Sequence, residues 1–278
     1  MIELPESQTL AKQLRETVCG KTIEKVVAAS SPHGFAFYSN DPAEYPILME
    51  GKTITDIGAS GGYVEILMGD LAFAFNDGVN IRLLKPETVP PKKHQMHIKF
   101  EDGYQLVGTV QMYGGLMIYQ PKSYDNPYYL SAKKKPSPLT EGFDQAYFSA
   151  IVSAATPKLS AKGLLATEQR IPGLGNGCAH DILFTAGVNP QSHVHALPDS
   201  TLEKLFGAVK GKLMEMTELG GRNVEKDLFG NPGRYETILS AKTLPYPCPV
   251  CGGGLSRKAF LGGNIYVCLN CQPLIKNK

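Results

Sequence analysis

Leu10, Leu14 and Val18 recur at every fourth position with Gly20 just beyond them, a spacing that predicts one amphipathic helix over residues 6–19. Past residue 20 the period shortens to that of strands. Residues 23–28, 63–68, 71–75, 97–100, 106–110 and 116–119 are short apolar runs, and Asp77-Gly78 and Asp102-Gly103 stand between neighbours as hairpin turns would. A β-sandwich or barrel is expected. The run Lys133-Lys134-Lys135-Pro136-Ser137-Pro138 breaks any regular pattern and reads as a linker. Beyond it apolar residues fall three or four apart, predicting helices over 143–154, 159–169, 179–186 and 200–219, punctuated by Pro190, Pro198 and Gly220-Gly221. The chain is therefore read as α+β without internal repeats. An N-terminal β-sandwich with one leading helix covers 1–132, a linker 133–140, a helical domain 141–240 and a finger 241–278.

Length and composition agree with two cores. The 278 residues are 42% hydrophobic with 29 Gly and 20 Pro, which excludes disordered, collagenous and coiled-coil chains. The net charge of +2 hides an asymmetry: residues 1–149 carry 14 Lys/Arg against 17 Asp/Glu, and residues 150–278 carry 14 against 9. The second half is the better surface for an anion. No run approaches the roughly 18 apolar residues of a membrane helix. The opening Met1-Ile2-Glu3-Leu4-Pro5-Glu6 has acid where a signal peptide has base. A cytoplasmic monomer with no membrane partner is expected, placed in a bacterial-type cytosol or nucleoid.

Four of the six cysteines form two pairs, Cys248-x-x-Cys251 and Cys268-x-x-Cys271, with 16 residues between them. Each pair is a knuckle that sets two thiolates on one side of a metal, and a hairpin of this length closes the tetrahedron: one structural Zn²⁺ is expected. Gly262-Gly263 is the expected hairpin tip. Redox pairs or disulfides are the rival reading, unsupported by a βαβ context. Cys19 and Cys178 stand alone and read as small buried apolar residues. His94 and His97, three apart in strand-like sequence, fall on opposite faces, which argues against a metal pair.

The segment Ile171-Pro172-Gly173-Leu174-Gly175-Asn176-Gly177 opens onto the third of these helices, so backbone N–H groups and the helix dipole would meet an anion there. A dinucleotide fingerprint competes, but Cys178 holds the third glycine position and a helix precedes the motif. With these residues the chain resembles the formamidopyrimidine-DNA glycosylase and endonuclease VIII (Fpg/Nei) family over its whole length. The resemblance rests on the Met-x-Glu-Leu-Pro-Glu type of opening, Gly-x-Gly-Asn, Gly220-Gly221-Arg222 and the ending Cys271-Gln272. It implies a β-sandwich joined to a helix–two-turn–helix domain, and double-stranded DNA, damaged or abasic, as partner. Lys162, Gly175, Asn176 and Arg222 would touch DNA. Tyr113 would keep the aromatic of the family's intercalating wedge, Met112 having replaced its arginine. Asn264 stands where the finger has an arginine, and Arg257 on the same hairpin is assigned to DNA.

For catalysis the resemblance implies Glu3 as acid/base and Glu6 as a second acid of the site. The family's nucleophile, an N-terminal proline amine, is replaced by Ile2, and a Met1 amine would stand one Cα step away, ~3.8 Å. Gly62 stands in place of a lysine, and Asn76 in place of the methionine that fills the hole left by a flipped base. Two functions follow as expectations. One is a base-excision DNA glycosylase using Glu3, with doubtful abasic-site lyase activity. The other is a catalytically silent sensor of DNA lesions or structure. A zinc-ribbon protein binding another protein is the third reading. The loop from Asp227 to Gly233, flanked by Arg222, Lys226 and Arg234, would by resemblance lie near the flipped base.

Overall fold

The computed structural model describes residues 1–277. Its first helix, α1 (Leu4–Val18), begins with Pro5 in the first turn and with the Glu6 carboxylate accepting the Glu3 N–H at 3.1 Å, a capping-box contact. Leu10, Leu14 and Val18 are buried on one face, as their spacing requires. There follow β1 (Ile23–Ala28), β2 (Ala36–Tyr38), the short α2 (Tyr45–Met49), β3 (Asp56–Ser60), β4 (Tyr63–Met68), β5 (Leu71–Phe75), β6 (Val79–Leu84), β7 (Met96–Phe100), β8 (Gln105–Val110) and β9 (Gly114–Tyr119). They make two sheets, β1-β7-β8-β6 and β2-β9-β5-β4-β3, in which only β2 runs parallel to its neighbour.

Alternation sets what each strand buries. Ile57, Val64, Ile66, Phe73, Phe75, Leu116 and Ile118 of one sheet share an apolar core with Val26, Ile81, Ile98 and Leu106 of the other and with the apolar face of α1. Three strands escape the sequence pattern. The short β2, Asp56-Ile57-Gly58-Ala59-Ser60 of β3 and the half-polar β6 each lack an apolar run long enough to announce them.

Part of the expected linker is helix: α3 (Pro127–Lys134) includes Lys133 and Lys134. Asn126 Oδ1 caps it by accepting the N–H groups of Tyr128 and Tyr129. Tyr129 and Ala132 are buried with Tyr63, Ala72, Ala74, Met117 and Tyr119 of the five-stranded sheet. Here Glu65, 4% exposed, accepts the hydroxyls of Tyr119 (2.9 Å) and Tyr129 (2.5 Å) and pairs with Lys133. The His94 and His97 rings lie 5.5 Å apart, edge to face. His94 precedes β7, so strand alternation does not separate them.

The chain divides into two compact units, but the boundary is not a single cut. Residues 220–234 belong with residues 1–133, whereas the pattern had counted them with the helical domain. Leu228 explains the return: its side chain is fully buried in the sandwich core, its carbonyl accepts the Leu83 N–H at 3.0 Å, and its own N–H donates to Gln13 Oε1.

The second unit holds α4 (Gln145–Ser153), α5 (Ala161–Ala166), α6 (Asn176–Thr185), α7 (Asp199–Glu218) and the hairpin β10 (Ser256–Phe260)–β11 (Gly263–Val267). Asp144 and Ser160 cap α4 and α5, accepting the Tyr147 and Gly163 N–H groups. The hairpin tip is Leu261-Gly262, one residue earlier than expected, because Phe260 pairs with Gly263 and both tip residues have positive φ (47° and 71°), the signature of a two-residue primed turn. Gln272, fully buried, fastens the finger: its Nε2 donates to Val188 O (2.8 Å) and its Oε1 accepts the Cys268 N–H (3.1 Å).

Candidate functional site

The N-terminus of α1 carries Glu3 and Glu6, and the returning segment brings Arg222 to them. The arginine is 2% exposed. Its Nη1 donates to Glu3 Oε1 at 3.0 Å, and its Nε and Nη2 grip the two oxygens of Glu6 at 2.9 Å each. The Arg222 N–H also donates to Glu6 Oε1, and Nη2 reaches the Met1 carbonyl at 3.2 Å. Gly221 permits the approach: its φ is 96°, and a Cβ there would press on Glu6 Oε1 at 3.3 Å. A guanidinium stays charged at every accessible pH, so one permanent cation here serves two buried carboxylates. The resemblance assigns Arg222 to DNA; in the structure its guanidinium pairs with Glu3 and Glu6.

Around this corner stand groups that spacing did not reveal. Glu225 Oε2 lies 2.7 Å from the Met1 nitrogen. The Ile2 N–H donates to the Asp77 carbonyl at 2.6 Å, and the Ile2 side chain, 7% exposed, is part of the sandwich core. Position 2 therefore supplies packing and a peptide N–H, neither of them a nucleophile. Burial lifts the Asp77 carboxyl above its usual range, with the charge at the chain start opposing and Glu3 reinforcing. Gly78 brings the 76–78 turn hard against residues 111–113, since a Cβ on it would lie 2.2 Å from the Gln111 carbonyl. Gly78 N donates to Tyr113 O at 3.0 Å. Asn76 faces β9, its Oδ1 accepting the Gly115 N–H at 3.0 Å, and beside Gly62 the Gly61 carbonyl accepts the Ser7 hydroxyl at 2.6 Å. Met112 (φ 68°) and Tyr113 are exposed at the loop tip.

A cavity of about 540 Å³ opens in the same unit. Asn80, Arg82, Thr109, Gln111, Glu225 and Lys226 are among its lining residues. It has the volume and the mixture of apolar wall and polar side chains of a small-ligand site.

In the second unit, Lys162 on α5 and Asn176 at the start of α6 meet beneath the hairpin tip. Lys162 Nζ donates to the carbonyls of Phe260 (2.5 Å) and Leu261 (3.3 Å), and the residue is 2% exposed. Burial draws its ammonium below the usual lysine range. A Cβ on Gly263 would fall 2.9 Å from Asn176 Nδ2, so the hairpin and the Gly175-Asn176 helix start are in contact. Arg257 is exposed on β10.

The Sγ atoms of Cys248, Cys251, Cys268 and Cys271 lie within 4.8 Å of one another. The Cys248–Cys271 and Cys251–Cys268 separations are 3.7 and 3.5 Å, close to the ~3.8 Å edge of a tetrahedron built on Zn–S bonds of ~2.3 Å. The Gly253 N–H is the main influence pulling the Cys251 thiol down to about 7. Four thiolates fill a tetrahedral shell, so a metal here would be structural.

The chain thus carries a β-sandwich with an acid-bearing N-terminal helix, followed in sequence by a helical unit that ends in a four-cysteine finger. Residues 1–116 match the formamidopyrimidine-DNA glycosylase N-terminal domain. The Bacillus subtilis formamidopyrimidine-DNA glycosylase is 29% identical over 98% of this chain and 99% of its own, and that of Symbiobacterium thermophilum 26% over 99% and 90%. The crystal structure of the Thermus thermophilus Fpg (MutM) protein superposes with a TM-score of 0.80 at 24% identity, covering 98% of this chain and 99% of that one. The Lactococcus lactis Fpg bound to abasic-site DNA superposes with a TM-score of 0.84 at 22% identity over 98% and 99%. Residues 1–116 thus match a formamidopyrimidine-DNA glycosylase domain, and over nearly its whole length the chain is similar to proteins named formamidopyrimidine-DNA glycosylase.

Among the described residues no helix is long and apolar enough to cross a membrane.

Proposed function

We propose that this chain binds duplex DNA interrupted by a damaged base or an abasic site, and that base release, where it occurs, is hydrolytic and led by the Glu3 carboxylate. The L. lactis relatives of like fold are described with abasic-site and Fapy-dG DNA, which supports the substrate class. A bound phosphate backbone would be held by the second unit's cluster of Lys162, Asn176 and the hairpin tip, with Arg257 alongside. The cavity beside Glu225 has room for an extrahelical base. The four cysteines would hold one Zn²⁺ that keeps the hairpin in shape.

The observation that carries the chemical half is the corner itself. Ile2 is core, so no amine stands at position 2, and Glu3 is the acid left beside it, able to take a proton from water once bound DNA draws Arg222 away. In such a step Glu3 removes a proton from water, the water oxygen bonds to C1′, the C1′–N bond breaks, and the base leaves with the electron pair and is protonated. No amine attack is required, so lyase strand cleavage is not expected. One observation favours the sensor instead: Arg222 occupies both carboxylates together.

A single experiment separates the readings. The untagged protein is incubated with duplexes carrying oxidised, ring-opened and abasic sites, and base release, strand cleavage and borohydride trapping are scored beside affinity. Base release without trapping supports the hydrolytic glycosylase. Tight, salt-sensitive, lesion-selective binding with no release identifies the sensor. A trapped adduct refutes the hydrolytic assignment, and affinity indifferent to both lesion and salt refutes DNA recognition.

A further inference from the structure

β2 is an edge strand of the five-stranded sheet, and burial alternates along its three residues. Ala36 and Tyr38 turn inward and pack on the sandwich core, while Phe35 and Phe37 turn outward at 62% and 56% exposure. Two exposed phenylalanines, Phe37 on the edge strand and Phe35 in the turn that leads into it, leave a large apolar surface in water. Their position in the sheet is specific. The parallel register sets Ala36 beside Gly114 and Phe37 beside Gly115, and the Gly114 N–H donates to the Phe35 carbonyl at 3.0 Å, so the Phe35 backbone adjoins the Tyr113–Gly114 peptide. Gly114 and Gly115 are themselves buried, the space of a Cβ being taken by Val79 at the first and by Asn76 and Met117 at the second. Met112, 68% exposed, and Tyr113, 41% exposed, complete the rim.

Backbone hydrogen bonds tie this rim to the acid corner in three steps: Ile2 to Asp77, Gly78 to Tyr113, and Gly114 to Phe35. A substrate held at Glu3 would have its neighbouring nucleotides within the rim's span. The surrounding sequence suits a polyanion. Residues 26–40 contain no Asp, Glu, Lys or Arg, and residues 103–124 contain only Lys122. Exposed aromatic faces on stretches of chain without acidic residues are the elements of a base-stacking platform, which works for any base because every base has a π-face.

We propose that Phe35 and Phe37 extend the Met112–Tyr113 loop into a rim on which bases unstacked by an interruption in duplex DNA are seated. The proposal rests on the DNA reading above and adds two residues that discriminate interrupted from continuous duplex.

The test compares the full chain with Phe35→Ala/Phe37→Ala and Phe35→Trp/Phe37→Trp by fluorescence anisotropy. One duplex carries a single abasic analogue with 2-aminopurine opposite it, and the other is continuous and of equal length. The alanine pair is expected to lose about tenfold or more in affinity for the interrupted duplex, from stacking lost per base, and less than about twofold for the continuous one. The 2-aminopurine emission quenched by the wild type should return with alanine and stay quenched with tryptophan. Unchanged selectivity in the alanine variant, with the wild type still preferring the interrupted duplex, overturns the proposal and leaves DNA recognition standing. A wild type with no preference removes both. Should sedimentation show a wild-type dimer that the alanine pair dissolves, the patch belongs to a second copy and the proposal fails.

Discussion

Arg222→Met keeps most of the buried side-chain volume and deletes the cation. What remains is Glu3 at 4% exposure and Glu6 at 5%, with their charged partner gone. Each charge-assisted bond lost, one to Glu3 and two to Glu6, has an ordinary worth of about 1.5–3 kcal/mol. They share one guanidinium and do not add. Removing one partner of a buried ion pair costs about 3–5 kcal/mol, and that is the expected loss at neutral pH, read from the urea unfolding of the first unit. The triple variant Glu3→Gln/Glu6→Gln/Arg222→Met removes all three charges and should recover most of this loss, because the cost lies in stranded charge more than in missing contacts. A single variant less than about 1 kcal/mol below wild type would show that the corner is well solvated. A triple variant no more stable than the single would show that packing, and not charge, holds Arg222 in place.

Three further outcomes follow from other sites. Asp77 has its carboxyl raised by burial, so its contribution favours the folded state below the ordinary carboxylate range near ~3.9 and is lost as pH climbs through the raised value. Thermal melts from acid to neutral pH should therefore show wild type losing ground to Asp77→Asn, and a flat or rising difference would contradict the burial argument. Lys162→Met removes the donor to the Phe260 and Leu261 carbonyls, and faster amide exchange in β10 and β11 is expected. If Lys162 also meets phosphate in the complex, the salt slope of DNA binding falls by about 1, whereas a lysine that only pins the hairpin leaves the slope unchanged. Elemental analysis should find one zinc per chain in the wild type and none in Cys271→Ser, whose finger should become open to proteolysis, since Cys248 and Cys268 are themselves buried against Phe184, Leu239 and Tyr266. Full zinc occupancy in the variant would remove Cys271 from the ligand set.

The parts of the fold that could be read from the chain are those whose reason for existing is local. β4 and β5 were legible because their apolar runs coincide with strands buried on both faces, and α7 because its apolar period persists over many turns. The cysteine finger was legible because two knuckles of fixed spacing have few other uses. β2, β3 and β6 were not, since their burial is conferred by neighbours that pair with them across the sheets. The same holds for α3. Its sequence is tyrosine- and lysine-rich, and it becomes a helix where Asn126 caps it and Glu65, from the distant β4, gathers Tyr129 and Lys133.

The acid corner is the extreme case of that dependence, and its chemistry follows from it. Glu3 and Glu6 were legible as a motif, but what a carboxylate can do is set by the charge it faces, and Arg222 arrives from 219 positions beyond Glu3. The return of residues 220–234 to the sandwich is what delivers it, and Leu228 in the core and Asp227 against Gln13 are what hold the return in place. A chain with the same opening motif and no cation at position 222 would present two carboxylates that repel one another or share a proton, the condition in which one can serve as an acid. With Arg222 in place both are engaged as acceptors. The choice between hydrolytic base and silent recognition therefore turns on whether bound DNA draws Arg222 away from Glu3. Residue 222 is thus the position at which base release and binding should separate.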